Sequence, residues 1–533
     1  MKRPILATIK AMAILSLIFW ATDGSDLSVG NVWALSKTLN YSWMCNVGPL
    51  NPHDYSPNQM FAQAMVYDPL VKYGGNGEIL PCLAESWDIS PDGREYLFHL
   101  RKDVFFSDGT PFNAGVIKKN HDAIFKNTKA HSWLGLIHQL KDTVVVDDHT
   151  VKLVLKTPYY PVLEDLTLVR PFRYLSPAAF PESGNTSDGI VDPIGTGPWK
   201  LVESKLGEYE IFDRNERYWG PKPDIDRIVV KIISDPNTRA VAFETGDIDL
   251  IYGDDQVNLD TFDRLRANRR YTTKMSAPLS TRAIALNSNR GPTRDIAVRR
   301  AILHAVNKDA IVKGIFLNTE LKADSIFSSQ VPYCDLKLVP YAYDPKTADA
   351  ILTAAGWTKT MNSPFRKKSG KLLSVDLCFV GNNIIEKSIA EVVQADLRKI
   401  GIWVRLNGVE EDMYYHKRKE GDFDLIFNDT WGPPYEPHAY CSAMCSSSIA
   451  DYQAQAGLLM KKDIDAKIRR AIVSVDKNER RDLFHDVITT LHDQAVYLAI
   501  SHTTGLLAHG PHLSGVVYGP TKYEIPFEKI NIQ

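Results

Sequence analysis

Short apolar runs of strand length alternate with amphipathic helical stretches over most of the 533 residues, and this alternation narrows the fold class. Residues 228–233, IVVKII, read as a strand, and the stretch 237–244 after it reads as a helix that stops at Gly246. Residues 282–286 mark another strand. Residues 347–355, closed by Gly356, and 385–400, closed by Gly401, read as helices. In the second of these, Ile389, Val392, Val393 and Leu397 share one face and are expected to point inward. Residues 425–427 read as a buried strand, and a helix over 478–493 precedes a strand over 495–501. Helices interleaved with short apolar strands predict α/β lobes, and the length allows two to four domains.

The N-terminal part reads differently. Ser90-Pro91-Asp92-Gly93 is a strong turn, followed by a strand in which Tyr96, Phe98 and Leu100 alternate with polar neighbours. Residues 104–106 are expected to continue that strand up to a second turn at Ser107-Asp108-Gly109. Asn113 is placed to cap a helix running to about Phe125. Residues 144–146 and 151–155 flank Asp147-Asp148 as a hairpin.

At the extreme N-terminus, Lys2, Arg3 and Lys10 precede the apolar run 11–21, AMAILSLIFWA. A basic segment before a short apolar run reads as a secretory signal, and the run falls short of the about 20 apolar residues of a membrane span. Residues 1–34 are therefore assigned to a signal peptide whose cleavage point is open between Ala21 and Ala34. A formal net charge of −2 points away from nucleic acid. Six cysteines in this length are no disulfide scaffold, and the Cys441/Cys445 spacing is by itself a weak signal.

Two stretches carry the residue types of a small-ligand pocket. Residues 46–61, NVGPLNPHDYSPNQMF, hold three prolines and Gly48 together with His53, Tyr55, Met60 and Phe61. Residues 430–444, TWGPPYEPHAYCSAM, have the same character far downstream. Both are expected to be conformationally fixed loops that face each other across a cleft between two lobes. The alternative is that both are Pro-rich connectors whose aromatics fill the core.

The stretch SPDGREYLFHLRKDVFFSDGTPFNA (90–114) is similar to the signature of the large extracytoplasmic solute-binding proteins of peptide and nickel importers. Ile194-Gly195-Thr196-Gly197-Pro198-Trp199, residues 235–252 and the helical stretch 298–312 resemble further motifs of that family. The resemblance implies a two-lobed, type II periplasmic-binding-protein-like α/β fold with an additional subdomain in the first lobe and two hinge strands. On that pattern lobe I spans 35–278, with the insertion at about 78–190. Lobe II spans 279–502, and 503–533 return to lobe I. The strand crossovers are expected near 277–286 and 497–503.

Three segments, 46–73, 168–174 (LVRPFRY) and 430–440, resemble the nickel-binding branch. That resemblance implies a pocket lined by Tyr55, Ser56, Met60, Trp133, Arg170, Tyr415, Trp431 and Tyr435, with Arg170 facing the carboxylates of an organic chelator. Nickel(II) favours N and O donors, yet few histidines lie near these motifs. A guanidinium and many aromatic faces suit a metal already wrapped in a chelator such as histidine. Two positions depart from the branch. Its metal-ligating histidine falls at Ile449, leaving His438 as an imperfect substitute ligand. Its second carboxylate-facing arginine falls at Ala130, beside Lys129.

The expected function is capture of chelated nickel for an inner-membrane ABC permease and its ATPase subunits, by a periplasmic monomer with no catalytic cofactor. The alternatives are a di- or oligopeptide binder and a carrier of haem or another planar cofactor. No GxSxG, HExxH or P-loop pattern is present, and the Glu410-Glu411-Asp412 run reads as a solvated face, so no enzymatic activity is expected.

Overall fold

The computed structural model describes residues 36–54, 60–253, 256–360 and 363–533. The assigned signal peptide lies outside them. Among the described residues, strands Thr38–Trp43, Arg227–Ile232, Tyr209–Arg214 and Trp199–Lys205 form a four-stranded sheet. Thr38–Trp43 and Arg227–Ile232 pair in parallel, so the intervening chain must leave this sheet and return. The outgoing chain builds a second four-stranded sheet from Ala84–Ile89, Glu95–Leu100, Thr150–Leu155 and Leu140–Asp147. Its buried face alternates as expected: Tyr96, Phe98 and Leu100 point inward from one strand. Helix Ala114–Lys126 packs on it, and the Asn113 side chain accepts a hydrogen bond from the Val116 N–H at 3.0 Å.

The middle of the chain builds a six-stranded mixed sheet. Its order is Leu321–Lys322, Tyr497–Thr503, Ser280–Leu286, Leu425–Phe427, Ser374–Val380, Trp403–Val409. Helix Ile384–Lys399 connects the last two parallel strands and buries Ile389, Val393 and Leu397 against them. Val392 is only half-buried.

Between these assemblies the chain crosses twice. Thr272–Met275 and Leu506–His509 pair in a three-stranded sheet with Leu250–Gly253, whereas Ser280–Leu286 and Tyr497–Thr503 pair in the six-stranded one. The crossing segments are therefore 276–279 and 504–505. They hold each other: the Ser276 N–H donates to the Gly505 carbonyl at 3.0 Å, and the Gly505 N–H donates to Ser276 Oγ at 2.8 Å.

Three local expectations change. Residues 104–106 do not extend the strand. Gly109 adopts a φ of +91°, and the resulting turn lets the Phe106 N–H bond to the Thr110 carbonyl at 2.8 Å, so the chain doubles back on itself. Met60 and Phe61 are not loop residues; they begin the helix Met60–Val66, which buries Phe61, Ala62, Met65 and Val66. The second Pro-rich stretch likewise ends in a helix, His438–Ala443, entered directly from Pro437.

Candidate functional site

The Gly195-Thr196-Gly197 motif acts by close backbone approach. A Cβ on Gly195 would lie 2.0 Å from the Val66 carbonyl oxygen, and one on Gly197 would lie 2.5 Å from that of Met65. The Gly197 N–H bonds to the Val66 carbonyl at 2.9 Å. The motif thus holds the end of the helix whose first residue, Met60, lines a cavity of about 310 Å³.

Arg170 enters the same cavity from the segment LVRPFRY. Leu168, Val169 and Phe172 are buried around it. A second arginine pins the segment: Arg173 donates to the carbonyls of Leu168, Thr167 and Tyr67, each at 3.0 Å, and to Glu524 Oε1 at 3.1 Å. A buried guanidinium with this many acceptors holds the backbone. Arg170, itself buried, borders the cavity. His53 braces the other side. Its ring nitrogens lie 3.1 Å from Thr186 Oγ1 and 3.2 Å from the Arg173 carbonyl, and burial pushes its pKa down to about 4. It is a neutral structural histidine near physiological pH.

The opposite wall comes from the second Pro-rich stretch. The Thr430 N–H donates to the Thr281 carbonyl, and the Thr281 N–H donates to Thr430 Oγ1, both at 2.9 Å. Gly432 follows with a φ of +77°, where a Cβ would sit 1.7 Å from the Leu279 carbonyl oxygen. Its N–H donates to Glu436 Oε1 at 2.7 Å. These contacts press the wall against the first crossing strand and turn Trp431 and Tyr435 toward the cavity. Ring centroids of Trp133 and Tyr435 are 6.0 Å apart, and those of Trp431 and Tyr435 are 6.3 Å apart with near-perpendicular planes.

Five of the eight expected lining residues, Met60, Trp133, Arg170, Trp431 and Tyr435, meet in this cavity. Tyr55 and Ser56 lie outside the described residues. Tyr415 is not brought to it: the side chain is 53% exposed, and its ring sits under the Arg418 guanidinium beside Tyr414. His438 is not brought to it either. Its Nε2 lies 3.2 Å from Asp165 Oδ1 in the core, and its ring meets Tyr160 edge-on. Ile449 caps the helix Ala450–Gln455 and does not line the cavity, nor do Ala130 and Lys129. Among the described residues no group of three or more His, Cys, Asp or Glu side chains is arranged to hold a metal ion. Cys441 and Cys445 are free thiols whose pKa values burial pushes up.

Three lining residues escaped the sequence reading: Thr430, Lys522 and Tyr523. Tyr523 donates from its hydroxyl to the Trp431 carbonyl at 3.0 Å and meets the Tyr435 ring at 5.4 Å. The Arg173–Glu524 ion pair ties this C-terminal segment to the Arg170 segment. A sequence signal did exist, since the segment PTKYEIPF has the same Pro-and-aromatic character as the two stretches singled out. A larger cleft of about 840 Å³ lies next to the cavity, and Lys522 lines both.

Two sets of sheets joined by two adjacent strand crossings, with an aromatic cavity between them, define a two-lobed binding protein of the type II periplasmic class. The chain belongs to the bacterial extracellular solute-binding proteins, family 5, whose model matches residues 78–452. It is 47% identical to the nickel-binding periplasmic protein of Escherichia coli K12, over 93% of this chain and 95% of that one. It is 26% identical to the dipeptide-binding protein of the same organism, again over 93% and 95%. The crystal structure of NikA from Brucella suis in complex with Fe(III)-EDTA superposes with a TM-score of 0.90 at 51% identity, covering 93% of this chain and 100% of that one.

Proposed function

We propose that this protein captures nickel(II) wrapped in a small organic chelator, such as histidine, and hands it to an ABC importer. The observation that carries the reading is the cavity itself. A buried guanidinium, a group whose fork matches a carboxylate, borders it, indole and phenol faces wall the rest, and the described residues offer no cage for a bare ion. The 47% identity to a protein named for nickel binding supports nickel over peptide or haem.

The work is binding and closure, without a reaction. Two lobes, 35–278 with 503–533 and 279–502, swing on the crossing segments, and an inserted subdomain at about 78–190 contributes Trp133 and Arg170. Ligand free energy offsets the cost of closing. The protein acts as a monomer in the periplasm, exported by its N-terminal signal, and delivers its cargo to permease and ATPase subunits at the inner membrane.

Calorimetry tests this with four ligands: nickel chloride, nickel with excess histidine, a dipeptide mixture and haem. The expected result is saturable binding of the nickel–histidine complex alone. Tight binding of dipeptides or of haem, with none of the chelate, would overturn the reading.

A further inference from the structure

A separate cavity of about 500 Å³ shares no lining residue with the aromatic one. It is built along the first crossing, whose residues 276–279 all line it. The segment between the crossings contributes Gln330, Val331 and Pro433, whereas Tyr73 and residues 517–520 come from outside that segment. Close contacts fix these walls. Gly77, in the turn after Tyr73, has a φ of +77°, and a Cβ on it would run into the Pro332 ring. The Tyr518 ring lies 4.7 Å from that of Tyr252, and a Cβ on Gly505, in the second crossing, would lie 2.7 Å from it. The cavity is thus walled against both crossings.

Its charge is one-sided. Lys274 and Lys529 line it, and no carboxylate does. Both lysines stand at the same short stretch of chain. Lys274 Nζ donates to the Val516 carbonyl at 2.9 Å, and the Lys529 carbonyl packs so closely on Gly515 that a Cβ there would run into it. A carbonyl holds an ammonium without cancelling its charge, and among the described residues neither lysine enters an ion pair. The carboxylates that come near along the chain are Glu78, Glu436, Glu524 and Glu528, all outside the lining. Three of them are engaged elsewhere: Glu78 accepts the Asn76 N–H at 2.8 Å, Glu436 accepts the Gly432 N–H at 2.7 Å, and Glu524 pairs with Arg173.

We propose that this cavity is a second ligand site, for a small aromatic anion. The carboxylate or sulfonate sits at the Lys274–Lys529 end, and the ring body lies against Tyr73, Tyr518 and Pro433. The volume falls within the range of pockets for small organic molecules, and phenol and proline faces suit a flat apolar body. Because the walls come from both sides of the first crossing, the anion binds one arrangement of the crossings and stabilises it by mass action. The site stands apart from the chelate reading, since neither Arg170 nor any aromatic of that cavity takes part.

The test is calorimetry and thermal melting of the full-length protein with naphthalene-2-carboxylate, naphthalene-2-sulfonate, 2-naphthylmethylammonium and acetate. The two ring-bearing anions are expected to bind one per chain, to raise the melting temperature and to weaken with added salt. The ammonium analogue and acetate, lacking the charge or the ring, should each bind at least about tenfold more weakly. Lys274→Gln and Lys529→Gln should each weaken the sulfonate by about three- to fivefold, and the double variant by about tenfold or more. Val517→Trp, which fills the cavity without changing its charge, should weaken it as well. Arg170→Ala should leave sulfonate binding unaltered. Melts of the unliganded variants are the folding control; should Lys274→Gln unsettle the 515–516 stretch, Lys529→Gln and Val517→Trp carry the test. Failure of both anions to bind overturns the proposal, as does equal binding of the ammonium analogue. Loss of the sulfonate in Arg170→Ala, with unchanged affinity in the lysine variants, also overturns it, because the anion would then occupy the aromatic cavity.

Discussion

His438 Nε2 lies 3.2 Å from Asp165 Oδ1, both residues are buried, and they come from opposite sides of the two strand crossings. Asp165 precedes the first crossing, in helix Val162–Thr167, whereas His438 opens a helix in the segment between the crossings. The same carboxylate accepts the Leu136 N–H at 3.0 Å and the Tyr159 hydroxyl at 2.8 Å through Oδ2. Nearby, the Tyr160 N–H reaches the Ile472 carbonyl at 3.0 Å. The contact therefore fastens helix Val162–Thr167 to the middle of the chain. His438→Ala is expected to lower stability by about 1–3 kcal/mol, because a buried acceptor site on Asp165 loses its partner. Chelate affinity should fall with it, as the closed form becomes less favoured. Thermal melts and calorimetry check both; loss of stability with unaltered affinity would separate the contact from closure.

Arg170→Ala should abolish high-affinity chelate binding while the protein still folds. Removing one partner of a buried charge-assisted contact costs about 2–5 kcal/mol, roughly two orders of magnitude or more in affinity. Arg170→Lys keeps the charge and loses the fork, so an intermediate affinity is expected. The measurement is a calorimetric titration with nickel–histidine.

Gly432→Ala tests how the aromatic wall is held. The added methyl would meet the Leu279 carbonyl oxygen at 1.7 Å, and the φ of +77° is unfavourable for alanine as well. Backbone strain alone costs about 1–3 kcal/mol, and the clash forces the 430–436 segment off the crossing strand. The expected signature is a lower melting temperature together with weaker chelate binding. Gly207→Ala is the contrasting control: its φ is also positive, at +73°, but the methyl enters open space, so the cost should be smaller.

Glu436 should give stability a pH dependence of defined sign. Burial raises its carboxyl from 4.5 to about 7, against the opposing hydrogen bonds from Thr430 and Gly432 and the charge of Lys522. The folded state therefore holds this proton more tightly than the unfolded chain. The contribution is fully present below about pH 4.5 and is lost as pH rises through about 7, on the order of 3 kcal/mol in all. Glu436→Gln keeps an acceptor for the Gly432 N–H and removes the titration. Urea titrations between pH 4 and 8 should show a flatter profile for the variant over that window, and identical profiles would refute the assignment.

Trp133 and Trp431 border the cavity, so a bound chelate should alter the protein's fluorescence. Trp431→Phe is expected to remove part of that change and to weaken binding less than Arg170→Ala does, since an aromatic face remains.

Much of this fold is legible residue by residue. The Asn113 cap, the Ser90–Gly93 turn and the inward row of Tyr96, Phe98 and Leu100 are local facts, set by backbone sterics and by the two-residue period of a strand. So is the buried stripe of helix Ile384–Lys399. The site was legible only as residue types in motifs, and motifs do not say where a side chain ends up. The same resemblance put Tyr415 and Arg170 in one pocket, yet one is exposed on a helix and the other borders the cavity. His438 has the chemistry of a ligand, and packing gave its ring to Asp165.

The sequence by itself determined the alternating elements, the turns and caps that bound them, and the family motifs, because these depend on interactions within a few residues. Tertiary structure alone decided that Lys522, Tyr523 and Glu524 stand beside Arg170, Arg173 and Trp431. That meeting spans about 350 residues and depends on the chain crossing between sheets twice, which no local periodicity encodes.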